Sequence, residues 1–120
     1  MNREQGVGSL ADKYLSFSTT GTGTVYTVPT ANEGAAPPVP PTTALVKSIR
    51  LSNQSGGTVA TTVTAMDYSN SSLEIELYKD TLTDGSESEI LTQPIALEQQ
   101  DAIKLTGAGV KILISLMQIT

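Results

Sequence analysis

Two segments of period-two alternation meet at a double glycine in the middle of the chain, and they limit what it can fold into. Thr42 to Asn53 reads Thr-Thr-Ala-Leu-Val-Lys-Ser-Ile-Arg-Leu-Ser-Asn, and Thr58 to Tyr68 reads Thr-Val-Ala-Thr-Thr-Val-Thr-Ala-Met-Asp-Tyr, with Gln54-Ser55-Gly56-Gly57 between them. In the first, Leu45, Ile49 and Leu51 share one face, with Lys47 interrupting it. In the second, Val59, Val63 and Ala65 alternate with Thr62 and Thr64. A repeat of two puts one row of side chains toward a core and the other away from it, which is strand behaviour. Two such runs about a Gly-Gly turn predict a β-hairpin.

The remaining sequence supplies more strands of the same kind. Leu15 and Phe17 alternate with Tyr14 and Ser16, and Thr24 to Val28 forms a second short strand stopped by Pro29. Leu73-Glu74-Ile75-Glu76-Leu77-Tyr78 is the cleanest alternation, predicting Leu73, Ile75 and Leu77 buried and Glu74, Glu76 and Tyr78 exposed. Ile90-Leu91-Thr92 and the segments around Ile95 to Leu97 and Ile103 to Leu105 read as further short strands. Val110 to Thr120 is nearly continuous in apolar residues, as in a strand covered on both faces. The expectation is an all-β chain: an antiparallel, jelly-roll-like β-sandwich of about eight strands over residues 13–120. An extended N-terminal arm, residues 1–12, precedes it.

Ala35 to Pro41 holds most of the six prolines and predicts a stiff extended loop, read as a crossing between two sheets. Asp80, Asp84, Glu87 and Glu89 give an acidic loop without the spacing of a calcium-binding EF-hand. Such a charge run reads as a solvated face.

Composition narrows the function classes. The chain of 120 residues is long enough for one core, and its net charge of -5 lacks the basic face that nucleic acid or an anionic membrane needs. It has no histidine and no cysteine, which removes the commonest neutral-pH base, the commonest metal ligand and any thiol chemistry. No metal or cofactor is expected. No apolar run approaches a membrane-spanning helix, and the first ten residues lack the apolar stretch of a signal peptide, so folding in a cytoplasm is the expectation.

Catalytic patterns are weak. Gly21-Thr22-Gly23 lacks the rest of a phosphate-binding fingerprint. Glu74 and Glu76 would lie about 7 Å apart on one strand face. Paired carboxylates can hydrolyse glycosides, but no aromatic platform accompanies these. Tyr14, Tyr26, Tyr68 and Tyr78 are the tyrosines available to a carbohydrate- or receptor-binding surface. Lys47 and Arg50 form a basic spot that suits an acidic partner, or simply an edge that discourages aggregation.

The order of these segments resembles that of the small β-sandwich virion proteins of tailed bacteriophages. The resemblance is carried by Val25-Tyr-Thr-Val-Pro29, Ala44-Leu-Val-Lys-Ser-Ile-Arg-Leu-Ser-Asn53, Leu77-Tyr-Lys-Asp80 and Pro94-Ile-Ala-Leu-Glu-Gln-Gln-Asp-Ala-Ile-Lys-Leu105. It covers residues 24–120. Gln99-Gln100 stands where the family pattern has a turn glycine. The resemblance implies a non-enzymatic virion protein assembled in the host cytoplasm: a head decoration (cement) protein, or a neck, tail or fibre component. The implied partners are the major capsid protein or other virion proteins, and further copies of the chain in a dimer or trimer. The contact residues expected for such a role are Val7 and Leu10 in the arm, Pro37, Pro38, Val39 and Pro40 in the loop, Arg50, and a second face of Ile112, Ile114 and Leu116.

Overall fold

The computed structural model describes residues 13–20 (as backbone), 22–32, 34–38 and 41–119. Nine β-segments follow in chain order: β1 Lys13–Thr20, β2 Gly23–Thr27, β3 Thr43–Asn53, β4 Val59–Asp67, β5 Leu73–Leu82, β6 Glu87–Glu89, β7 Ile95–Leu97, β8 Ala102–Thr106 and β9 Val110–Ile119. One turn of 3-10 helix, Tyr68–Asn70, joins β4 to β5. The strands form two antiparallel sheets. One runs β1-β9-β3-β6, with β7 also paired to β3; the other runs β2-β8-β4-β5. With β6 and β7 taken as two halves of a broken sixth strand, this is the strand order of an eight-stranded jelly roll.

The core lies between the sheets. Val46, Ile49, Leu51, Ile112, Ile114 and Leu116 from one meet Val63, Ile103 and Leu105 from the other, all sealed from solvent. At about 25 cal/mol per Å² of apolar area, this burial is the main stabilising term.

The predicted hairpin is absent. β3 pairs with β9, β6 and β7, while β4 pairs with β5 and β8, so Gln54 to Thr58 crosses from one sheet to the other. Alternation fixes which residues face inward but not which strand is the neighbour. The proline-bearing segment likewise joins β2 in one sheet to β3 in the other.

Two bulges alter the predicted faces. The β3–β9 register shifts between Val46 and Ser48, so Lys47 is the extra residue. Ala44 and Val46 are therefore buried before it and Ile49 and Leu51 after it, while Leu45 turns to the outer face. A bulge lets a strand change phase by one residue, which explains the lysine in the apolar row. The β4–β5 register shifts between Val63 and Thr64, leaving Leu77 unpaired. Tyr78 then stands opposite buried Val63 and packs against the core, contrary to the exposed position expected of it.

The loops at each end are held by one buried polar side chain. Asn53 ends β3. Its Nδ2 donates to the carbonyls of Gly57 and Leu82, each at 2.8 Å, and its Oδ1 accepts from the Ser55 N–H and hydroxyl. Asp84 accepts the Gly56 N–H in the same cluster, and Gly109, at φ +82°, has no room for a Cβ beside Ser55. At the other end Asp101 Oδ1 accepts the Tyr68 N–H and Oδ2 the Glu98 N–H. Its backbone carbonyl accepts the Val28 N–H.

Candidate functional site

Glu74 and Glu76, the carboxylates weighed as a catalytic pair, are both exposed, and the other acidic side chains serve the fold or face solvent. Glu74 pairs with Lys104 at 2.9 Å on the outer face of the four-stranded sheet. The hydrogen bond and charge of that lysine hold the Glu74 carboxyl below its ordinary range. Asp101 is buried and accepts two backbone N–H groups. Glu87 and Glu89 lie across the edge of the sheet from Arg50, at 3.7 and 3.8 Å, all three side chains about half exposed. The predicted acidic loop is thereby divided: Asp80 belongs to β5, Glu87 and Glu89 to β6, and Asp84 lies between. Among the described residues, no group of three His, Cys, Asp or Glu side chains could hold a metal ion.

The concave feature best suited to a partner is a groove of about 310 Å³ between β5 and β7. Ala65, Ile75, Leu77, Ile95 and Leu97 give it an apolar lining, and Asp67, Glu98 and Asp101 close one end. No basic side chain lines it. The groove follows from the strand lengths. β5 has ten residues, whereas the edge of the facing sheet consists of two three-residue segments. Ile75 stands opposite buried Ala65, on the inward side, yet is 50% exposed, with nothing among the described residues covering it. Leu73 is equally exposed. The alternation of β5 thus marks an inward row correctly, but the expected burial of Leu73 and Ile75 fails at the open edge.

A second surface is the outer face of β3 and β9. Leu45 stands beside Met117, Ser48 beside Ser115, Arg50 beside Leu113 and Ser52 beside Lys111. Leu113 is 44% and Ile119 39% exposed. The final strand is therefore covered on one face, not both.

This redistributes the predicted contact residues. Ile112, Ile114 and Leu116 are fully buried in the core and offer no side chain to a partner; the opposite row, Leu113, Ser115, Met117 and Ile119, faces outward. Arg50 is exposed, as are Pro37 and Pro38. Val7, Leu10, Val39 and Pro40 lie outside the described residues. Of the tyrosines, Tyr26 is buried and donates no surface, Tyr78 packs on the core, and Tyr68 is exposed. The side chain of Tyr14 lies outside the described residues.

Sequence reasoning missed the groove and the two buried polar residues that hold the loops, Asn53 and Asp101. Ile75 carries an apolar signature whether covered or not, so strand order alone reveals the groove. Asn53 had a visible cue, an amide at a strand end just before a Gly-Gly turn. Asp101 follows Gln100, whose φ of 70° lies in the left-handed region that favours glycine.

No protein-family model matches the chain, and no curated protein matches it. Among solved structures, a chain from Bacillus endospore appendages, described as a novel family of disulfide-linked pili, is similar at 14% identity and a TM-score of 0.47, over 91% of this chain and 86% of that one. A likeness of this degree carries no functional argument, and this chain has no cysteine with which to form a disulfide.

Proposed function

We propose that this protein is a non-enzymatic structural subunit that acts by docking on other protein surfaces, and specifically a decoration protein of a tailed-phage head. In this reading it binds outside the shell and stabilises contacts between neighbouring capsid subunits. The observation that carries the docking role is the division of labour among side chains. Asn53 and Asp101 are committed to closing the loops, while Leu73, Ile75, Leu113 and Ile119 face solvent on two surfaces. Contiguous exposed apolar residues mark interaction surfaces. The resemblance of residues 24–120 to phage virion proteins supports the more specific role.

A decoration protein that binds only the expanded shell stabilises it by mass action. Many modest contacts repeated over a symmetric lattice add up. The proposed partners are the major capsid protein and further copies of this chain.

The test is copy number in purified virions, by quantitative mass spectrometry against the major capsid protein. A ratio near one, or a simple fraction of it, supports lattice decoration. A ratio fitting a single ring moves the protein to the neck or tail. Absence from virions overturns the virion role.

A further inference from the structure

We propose that β5 takes up an extended segment of another protein, one that alternates aliphatic residues with lysine or arginine, as an added strand on its open edge. Among the described residues β5 ends its sheet, and β7 on the facing sheet is paired to β3 alone, so two backbone edges border the groove. Of the two, β5 is long enough to carry a partner, with ten residues against three. Residues of an added strand share a face with those they stand opposite. Beside Leu73 and Ile75, each half exposed, the added side chains enter the groove over Leu77, Ile95 and Leu97, which suits aliphatics.

The other row is set by charge. Glu74 and Glu76 stand opposite Met66 and Thr64 on the outer face, both exposed. Lys104 pairs with Glu74, whereas Glu76 has no ion-pair partner among the described residues. The end of the groove adds Asp67 and Glu98, and no basic side chain lines it. The base of β5 itself, Lys79, lies beyond the bulge at Leu77 and next to Asp80. From Leu73 to Leu77 the edge is therefore apolar on one row and acidic on the other.

The same charges oppose a second copy of β5. Antiparallel pairing about a two-fold axis at Ile75 sets Glu74 of each copy against Glu76 of the other, and an axis at Glu76 sets the two Glu76 side chains together. Charges on an exposed edge guard against self-association, while a cationic strand is admitted. The inference rests on the docking reading of Leu73 and Ile75 and not on the virion role, so copy number in virions does not bear on it.

The probe is the peptide acetyl-Lys-Val-Lys-Val-Lys-Val-amide, added to the isotope-labelled full-length chain and followed by amide chemical shifts. Saturable shifts should concentrate at Leu73 to Leu77 and Ile95 to Leu97. Glu76→Lys should weaken binding roughly fivefold, and Ile75→Lys should abolish it; both positions are exposed, so neither change burdens the core. The absence of a saturable shift at β5 overturns the proposal, whatever occupies the groove. So do equal shifts from acetyl-Glu-Val-Glu-Val-Glu-Val-amide, which remove the charge match. Equal binding of acetyl-Lys-Lys-Lys-Val-Val-Val-amide overturns it as well, since attraction without alternation is not strand addition. Shifts at β5 that grow with protein concentration in peptide-free samples assign the edge to a second copy and overturn it too. Failure of the peptide still leaves the outer face of β3 and β9 for docking, so the two readings fail separately.

Discussion

The side-chain amide of Asn53 donates to the carbonyl of Leu82 at 2.8 Å, tying the end of β3 in one sheet to the end of β5 in the other. Asn53 is fully buried, and every hydrogen-bonding position of its amide that meets the protein is used. Asn53→Leu strands the Leu82 carbonyl and the Ser55 N–H together. Leaving a buried polar group unsatisfied costs about 1–3 kcal/mol, so the urea midpoint should fall well below that of Ser55→Ala, which removes only part of the cluster.

Asp101 supports a similar prediction at the other end. Asp101→Asn keeps the shape but puts an NH₂ where one carboxylate oxygen accepted a backbone N–H. The expected loss is again about 1–3 kcal/mol. Hydrogen exchange should quicken at the Tyr68 and Glu98 amides, the two donors, before it changes at β9.

Gln100 offers a gain. Its φ of 70° is unfavourable for a side chain bearing a Cβ, and its backbone N–H already bonds to the Val28 carbonyl. Gln100→Gly relieves roughly 1 kcal/mol of left-handed strain, less the entropy glycine adds to the unfolded chain. Thermal unfolding should show a small rise in Tm.

The two faces of β9 should respond differently. Ile112→Ala or Leu116→Ala opens a cavity in the core and should cost about 2–5 kcal/mol. Leu113→Ala, on the opposite face, should stay near 0.5 kcal/mol, in the range of ordinary surface substitutions. Denaturant titration of the three variants tests the assignment of this strand's inner and outer rows.

Glu74 gives an acid-side prediction. Lys104 lowers its pKa from the ordinary 4.5. A carboxylate whose pKa is depressed by folding adds stability above its unfolded pKa, and that contribution fades as pH falls through the folded value. An NMR titration should place the Glu74 midpoint below 4.5 and return it toward that value in Lys104→Met. Tyr26 has the opposite sense. Burial raises its phenol above 10.0, and the hydrogen bond with Gln118 partly offsets this. Its contribution is intact below pH 10 and is lost as pH rises through the folded value, a dependence that Tyr26→Phe removes.

These residues show how far the sequence could be read. Val63, Ala65, Ile103 and Leu105 face inward as their spacing predicted, because a two-residue repeat is a local property of an extended backbone. Leu45 was misplaced by a bulge, which inserts one residue and leaves no compositional mark except the odd lysine. Ile75 was assigned to the correct side and the wrong environment. Its exposure depends on the short β7 across from it, separated by some twenty residues of chain, and no local pattern records that. Ile112, Ile114 and Leu116 were offered to a partner when they fill the core, because an apolar run does not say which of its two faces the protein keeps.

The last of the nine strands is also an inner strand of its sheet, with β1 on one side and β3 on the other. On a ribosome, β1 and β3 therefore emerge long before the strand that joins them, and a chain halted before Val110 has no five-stranded sheet to form. Folding of this sheet must wait for Val110–Ile119 to emerge, with the β4–β5 hairpin as the early piece that sequence neighbours can build alone.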